Sequence, residues 1–259
     1  MDLGIRGRRA LVCAASKGLG RGCAEALAAE GVDLVINARG EDALHDTAKD
    51  LSDRFGISVT PVAADITTPD GQAAVLKAAG DIDILVTNAG GPPPGHWRDW
   101  SRDDFIKALD ANLLSAVALM QATVPHMIEQ GWGRVVNITS AAVRSPIAVL
   151  GLSNTARTGL TGFVAGMSRD VAKHGVVVNN LLPGIHDTDR ADSLDTGVAK
   201  AEGISFDEAR ARRKSGIPVG DYGRASDFGA ACAFLCSEHS RFIIGQNITL
   251  DGGALNATL

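Results

Sequence analysis

Arg9-Ala10-Leu11-Val12-Cys13-Ala14-Ala15-Ser16-Lys17-Gly18-Leu19-Gly20 is the stretch that decides the fold of this 259-residue chain. A short apolar run passes through a turn of small residues into a helical pattern that continues from Gly18 to Glu30. Ala14, Ser16, Lys17, Gly18, Leu19 and Gly20 let backbone amides approach a pyrophosphate, whose charge the following helix N-terminus favours. Plain helix–strand packing uses the same spacing, so the turn alone does not decide function. Ala14 fits the turn if its φ is negative.

Outward from the turn the pattern repeats. Strand-like runs at Asp33 to Asn37, Ser58 to Ala64 and Ile82 to Thr87 alternate with helical patterns at Glu41 to Phe55 and Pro69 to Ala79. A long helix over about 101–129, a strand Arg134 to Ile138, a helix near 153–173 and a strand Val176 to Leu182 follow. A helix over 226–237 and a strand Asn247 to Leu250 close the chain. Near-continuously apolar strands belong in a parallel sheet covered on both faces. The expected fold is therefore α/β: a Rossmann-type, three-layer αβα doubly wound domain over 1–259 with a seven-stranded parallel sheet. The looser, polar segment at about 187–220 is expected to be a mobile lid near the strands' carboxyl ends, where ligands bind.

Composition narrows the partners. Hydrophobic residues make up 45% and charged residues 21%, with no run of eighteen apolar residues, which predicts no membrane span. A formal charge of −5 offers no basic stripe for nucleic acid, and Arg210-Ala211-Arg212-Arg213-Lys214 reads as a solvated helix face. Cys13, Cys23, Cys232 and Cys236 lack metal or redox spacing and are expected to be buried, reduced thiols, with no metal site. The N-terminus shows no signal pattern, which points to the cytoplasm.

Further motifs lie at successive strand ends: Ala64-Asp65-Ile66 after the third and Asn88-Ala89-Gly90 after the fourth. Asn112 falls within the long helix, Ser140 follows the fifth strand, and Pro183-Gly184 with Thr188 follows the sixth. In this order the motifs resemble the short-chain dehydrogenase/reductase family from Gly7 to Gly253. The resemblance implies that Asp65 and Ile66 meet the adenine, that Asn88, Ala89 and Gly90 pass beneath the ribose, and that Pro183, Gly184 and Thr188 flank the nicotinamide. It implies also that Asn112 holds a proton-relay water and that Ser140 bonds the substrate oxygen. Singly, Asp65 also fits a cap, Asn88-Ala89-Gly90 a turn, and Ser140 or Asn112 a local structural role.

At the end of the second strand, Ala38 stands where an acid would take the 2′-hydroxyl of NAD. Arg39 beside it and Lys17 in the turn can pair with a 2′-phosphate, so NADP(H) is favoured over NAD(H). Both cations also fit ordinary surface positions.

The family's Tyr-x-x-x-Lys pair is missing. Thirteen residues after Ser140 the chain has Ser153, and four later Arg157, within Leu152-Ser153-Asn154-Thr155-Ala156-Arg157. The sole tyrosine, Tyr222, lies far downstream and reads as structural. This wording resembles a divergent, β-ketoacyl-carrier-protein-reductase-like branch that lacks the pair. Serine is a far weaker acid than tyrosine, whose pKa is roughly 10. Arg157 retains the charge beside the nicotinamide ribose but is a poor proton donor. His186 can supply the proton or hold the lid; Arg144 and His96 have weaker claims. Asn154 and Arg157, one helical turn apart, can form a polar site of their own.

The expectation is an NADP-dependent oxidoreductase acting on a ketone, aldehyde or secondary alcohol, with Asn112, Ser140, Ser153, Arg157 and His186 as its catalytic set. The alternative is a nucleotide-binding regulatory module with little turnover. The resemblance further implies a homotetramer or homodimer formed through the two long helices and the last strand.

Overall fold

A computed structural model describes residues 1–257; the final two positions of the expected 1–259 domain lie outside the described residues. Seven parallel strands form one sheet in the order β3-β2-β1-β4-β5-β6-β7. They are β1 (Arg9–Val12), β2 (Asp33–Ala38), β3 (Val59–Ala63), β4 (Ile84–Thr87), β5 (Gly133–Ile138), β6 (Val176–Pro183) and β7 (Asn247–Leu250). Because order reverses at β1, the carboxyl ends of β1 and β4 open a crevice between connections that leave in opposite directions.

Side-chain alternation along the strands builds two cores. Ala10, Val12, Leu34, Ile36, Ile84 and Val86 pack with α1 (Gly18–Ala29), α2 (Glu41–Phe55) and α9 (Ala225–Leu235). Leu11, Val35, Leu85 and Val135 pack on the other face with α3 (Pro69–Ala79), α5 (Ser115–Glu129) and α6 (Gly151–Ala172). Burial on both faces is why the strands read as unbroken apolar runs.

The expected long helix is continuous but not uniform. α4 (Arg102–Leu109) starts at a capping box between Ser101 and Asp104, and a π-helical turn, Asp110–Leu114, joins it to α5. By length and composition alone, Arg102–Glu129 is a candidate membrane span, with mean hydropathy 1.2 in its apolar window. Its buried residues Ala116, Leu119, Met120, Val124 and Met127 instead face the core.

The 187–220 segment, read from sequence as loose and polar, contains two full helices, α7 (Asp189–Glu202) and α8 (Phe206–Ser215). They close on the fully buried carboxylate of Asp195, which accepts from Arg213, from Arg210 Nη1 at 3.4 Å and from Tyr222 Oη at 2.9 Å. Burial, followed by the hydrogen bond to Asp195, pushes the Tyr222 phenol up to about 12. Tyr222 is thus a structural residue. The basic run at 210–214 is only in part a solvated face: Arg212 is 57% exposed, whereas Arg210 and Arg213 are only 19% and 20% exposed and pair with acids of their own segment.

The glycine turn departs from expectation at its first position. Ala14 has φ +50°, the left-handed region that costs an L-residue roughly 1–2 kcal/mol. Beside it Gly20 packs against the Ala14 carbonyl so closely that a Cβ there would lie 2.2 Å from the oxygen, so the turn admits only glycine at position 20. Ala14→Gly relieves the strain and loses roughly 0.5–1 kcal/mol to unfolded-chain entropy. The expected outcome is a melting temperature raised by about 1–3 °C, read by calorimetry; a lower value would show that the Ala14 methyl contributes more by packing than its backbone costs.

Candidate active site

A cleft of about 470 Å³ opens at the carboxyl ends of the central strands. Ala14, Lys17, Gly18 and Leu19 form one wall, Asn88 to Gly91 the next, Thr139, Ser140, Ser153 and Arg157 the floor, and Pro183 to Ala191 the opposite side. At the first wall, α1 begins with Lys17 as N-cap and has no side-chain cap and no acidic residue in its first turn. Its free amides therefore fit an anion, as a dinucleotide's pyrophosphate requires. Thr188 touches this turn across the cleft, its methyl 3.5 Å from where a Gly18 side chain would begin.

The residues expected at the adenine lie off this cleft. Asp65 accepts from the Thr67 amide at 3.0 Å and the Thr67 hydroxyl at 2.8 Å, which hold its carboxyl below the usual range; Arg39 adds to the shift. Helix capping belongs to Thr68, which accepts from the Gly71 amide at 3.1 Å. Ile66 is buried beside Asn88, Ala89 and Asn112 in an adjoining recess. The carbonyl of Ser16 accepts from Thr47 on α2 at 3.1 Å, anchoring the turn. Lys17 is paired with Asp189 at 2.6 Å on an exposed surface, whereas Arg39 is exposed at the end of β2.

Four elements meet at Arg157. Its Nη2 donates to Asn112 Oδ1 at 2.6 Å, and its Nη1 to the Thr139 carbonyl. Asn112 in turn donates to the Gly90 carbonyl at 3.3 Å. The π-helical turn supplies the local register that carries Asn112 at this contact, while α6 carries Arg157 and Ser153. Nε of Arg157 is buried with no partner. Burial, then the charge of Arg190, lowers the guanidinium to about 10, so it remains charged at pH 7.

Ser140 and Ser153 share the floor with Arg157. Ser140 Oγ accepts from the Ala142 amide at 3.1 Å, so this residue also caps the short turn after β5. Asn154 and Arg157 do not combine: Asn154 donates to the Ile147 carbonyl at 2.9 Å and does not line the cleft. Arg144 and His96 are exposed outside the lining.

His186 is held against structure. Its ring meets Phe228 of α9 edge-on at 5.3 Å, and a Cβ on Gly223 would lie 2.7 Å from its Cδ2. Burial is the main cause of its lowered pKa, which favours neutral imidazole. Arg190, given no role from sequence, reaches from α7 to the carbonyls of Gly91 at 3.3 Å and Pro92 at 3.1 Å. Its signal was a cation two residues beyond Thr188 at the start of a helix.

The charged-to-neutral balance of His186 gives a test. Its folded pKa lies below the unfolded value near 6.5. The unfolded state therefore binds the proton first, and the neutral residue's contribution, complete above that value, is lost as pH falls. His186→Phe should flatten the fall in melting temperature between about pH 7 and 5; an unchanged slope would place that titration elsewhere.

The comparisons agree across the chain. The family model for enoyl-(acyl carrier protein) reductase matches residues 13–255. Gluconate 5-dehydrogenase of Gluconobacter oxydans is 34% identical over 255 residues, covering 96% of this chain and 95% of the relative. The 3-oxoacyl-(acyl-carrier-protein) reductase FabG of Vibrio cholerae is 31% identical, covering 97% and 98%. L-sorbose reductase of Gluconobacter frateurii, solved with NADPH and L-sorbose, superposes with TM-score 0.94 at 28% identity over 99% of this chain and 100% of that one. Sequence, sheet order and strand-end residues thus converge: the chain belongs to the short-chain dehydrogenase/reductase family.

Proposed function

We propose that this protein is an NADP-dependent oxidoreductase that interconverts a carbonyl group and a secondary alcohol without the tyrosine–lysine pair. The observation that carries this reading is the hydrogen-bonded path from Gly90 through Asn112 and Arg157 to Thr139, set beside two serines on the cleft floor. Curated and solved relatives that are NADPH-dependent reductases support the cofactor and reaction class.

The uncapped start of α1 would hold the pyrophosphate, with Asn88, Ala89, Gly90, Pro183, Gly184 and Thr188 along the rest of the dinucleotide. When bound, that cofactor supplies or accepts the hydride. Ser140 orients the substrate oxygen, and Arg157 places positive charge where negative charge develops. Ser153 positions the proton-carrying water in place of an acid of its own, since a serine hydroxyl does not ionise near neutrality. Loss of a positioned acid costs about 10²–10⁴ in rate, leaving orientation and electrostatics to sustain slower turnover. The 187–220 segment acts as lid, tied to the glycine turn by Lys17 and Asp189.

The missing pair itself favours a second reading, a nucleotide-binding regulatory module with negligible turnover. Exposed Ile106, Leu114 and Phe163 on the α4–α6 side fit a homodimer or homotetramer, and four unpaired cysteines fit the cytoplasm.

Two measurements test the proposal. Across a carbonyl panel, the wild type should oxidise NADPH, and Ser140→Ala and Ser153→Ala should each lower kcat/KM by about 10- to 100-fold with NADPH affinity retained. Bound NADPH with no oxidation, and silent serine variants, would favour the regulatory module. Arg39→Asp should weaken NADPH binding about 10- to 100-fold and narrow the preference over NADH, because it replaces a phosphate-pairing cation with a repelling charge; equal binding by both proteins would assign the 2′-phosphate elsewhere.

A further inference from the structure

The cleft contains more positive charge than its own acids neutralise. Lys17 is paired with Asp189, and Arg213 with Asp195. Among the described residues, Arg157 and Arg190, by contrast, donate only to backbone carbonyls and an amide oxygen. The two guanidiniums approach each other over Gly91: a Cβ built there would lie 3.4 Å from Arg190 Nη2 and 3.6 Å from Arg157 Nη2. Arg157 also has its Nε buried without a partner. Like charges this close at the wall of a largely apolar cavity repel unless an anion joins them.

Position distinguishes that anion from the dinucleotide phosphates. The pyrophosphate seat is the uncapped start of α1, and the 2′-phosphate seat lies at the end of β2. Arg157 instead meets Thr139 and Asn112 beside Ser140 and Ser153, at the reacting end of the cleft. A neutral polyol or thioester would leave the two charges unanswered.

The geometry points to a substrate that bears a carboxylate, an oxo acid or its hydroxy acid, held between Arg190 and Arg157 over Gly91 while its carbonyl faces Ser140. This assignment rests on the oxidoreductase reading for the reaction. The carboxylate site itself stands on the paired cations. Planar guanidiniums suit a carboxylate, which accepts two parallel hydrogen bonds. Gly91 leaves the space between them open, and its φ lies outside the left-handed region, so a side chain can be introduced there.

The test is calorimetric titration of the full chain, with and without NADPH, using short 2- and 3-oxo acids and their hydroxy acids, each beside its methyl ester. At least one acid should bind about 10-fold or more tighter than its ester. Arg190→Gln should weaken that acid about 10- to 100-fold while leaving the ester and NADPH within about twofold. Gly91→Asp places a carboxylate between the cations, so it should raise the melting temperature and abolish the preference for acids. Acids and esters binding alike, or not binding at all, would overturn the assignment, as would NADPH affinity falling with Arg190→Gln as far as acid affinity. A protein that binds the acids but neither binds nor oxidises NADPH would instead contradict the oxidoreductase reading and leave the carboxylate site standing.

Discussion

A buried guanidinium with no acid of its own organises the reacting end of this molecule. Arg157 can occupy the cleft floor because its cost of desolvation is offset by an amide oxygen and a strand-end carbonyl, contributed by two other elements. Asn112 is fixed by that bond, and through it the π-helical turn is fixed against the loop after β4. The arrangement links two strand-end segments, after β4 and after β5, on which a substrate and a dinucleotide would converge.

Arginine is not a longer lysine here. Its planar fork bonds two groups at once, where an ammonium would act as a point charge. Filling the floor in this way ties Asn112 to protein, and leaves Ser153 as a small hydroxyl beside open space. On the proposed mechanism, charge stabilisation is retained while intrinsic acidity is lost. Two contributions that a tyrosine–lysine pair combines would then be separated, with the proton carried by a water beside Ser153.

Much of the fold was legible because parallel strands buried on both faces must be apolar runs, and the run from Arg9 through Gly20 places the first crossover. Element ends shifted by a residue or two, as for β3, which runs from Val59 to Ala63. The family resemblance pointed to Ser140, Ser153, Arg157 and Asn112, and the structure brings the first three to the cleft and Asn112 to the adjoining recess. Their bonding was not legible: Asn112 and Arg157 are 45 residues apart, and only packing of the π-helical turn on α6 brings them into contact. Asp195 was hidden for a different reason, since an acid in a polar stretch looks like surface until two arginines and a tyrosine enclose it. Ala14 shows the reverse case, a left-handed backbone conformation in a residue type that disfavours it. His186 had two open roles; its ring packs on Phe228 and Gly223, and the residue also lines the cleft.

On the proposed function, this cleft transfers hydride with serine and arginine in place of tyrosine and lysine. Incubation of the protein with NADPH deuterated at the transferring C4 position, together with a mixture of small carbonyl compounds, tests it through mass spectrometry of the products. Deuterium is expected on the carbinol carbon of at least one alcohol, formed by the wild type and strongly diminished in Ser140→Ala. Saturating NADPH binding with no deuterium in any alcohol would rule hydride transfer out.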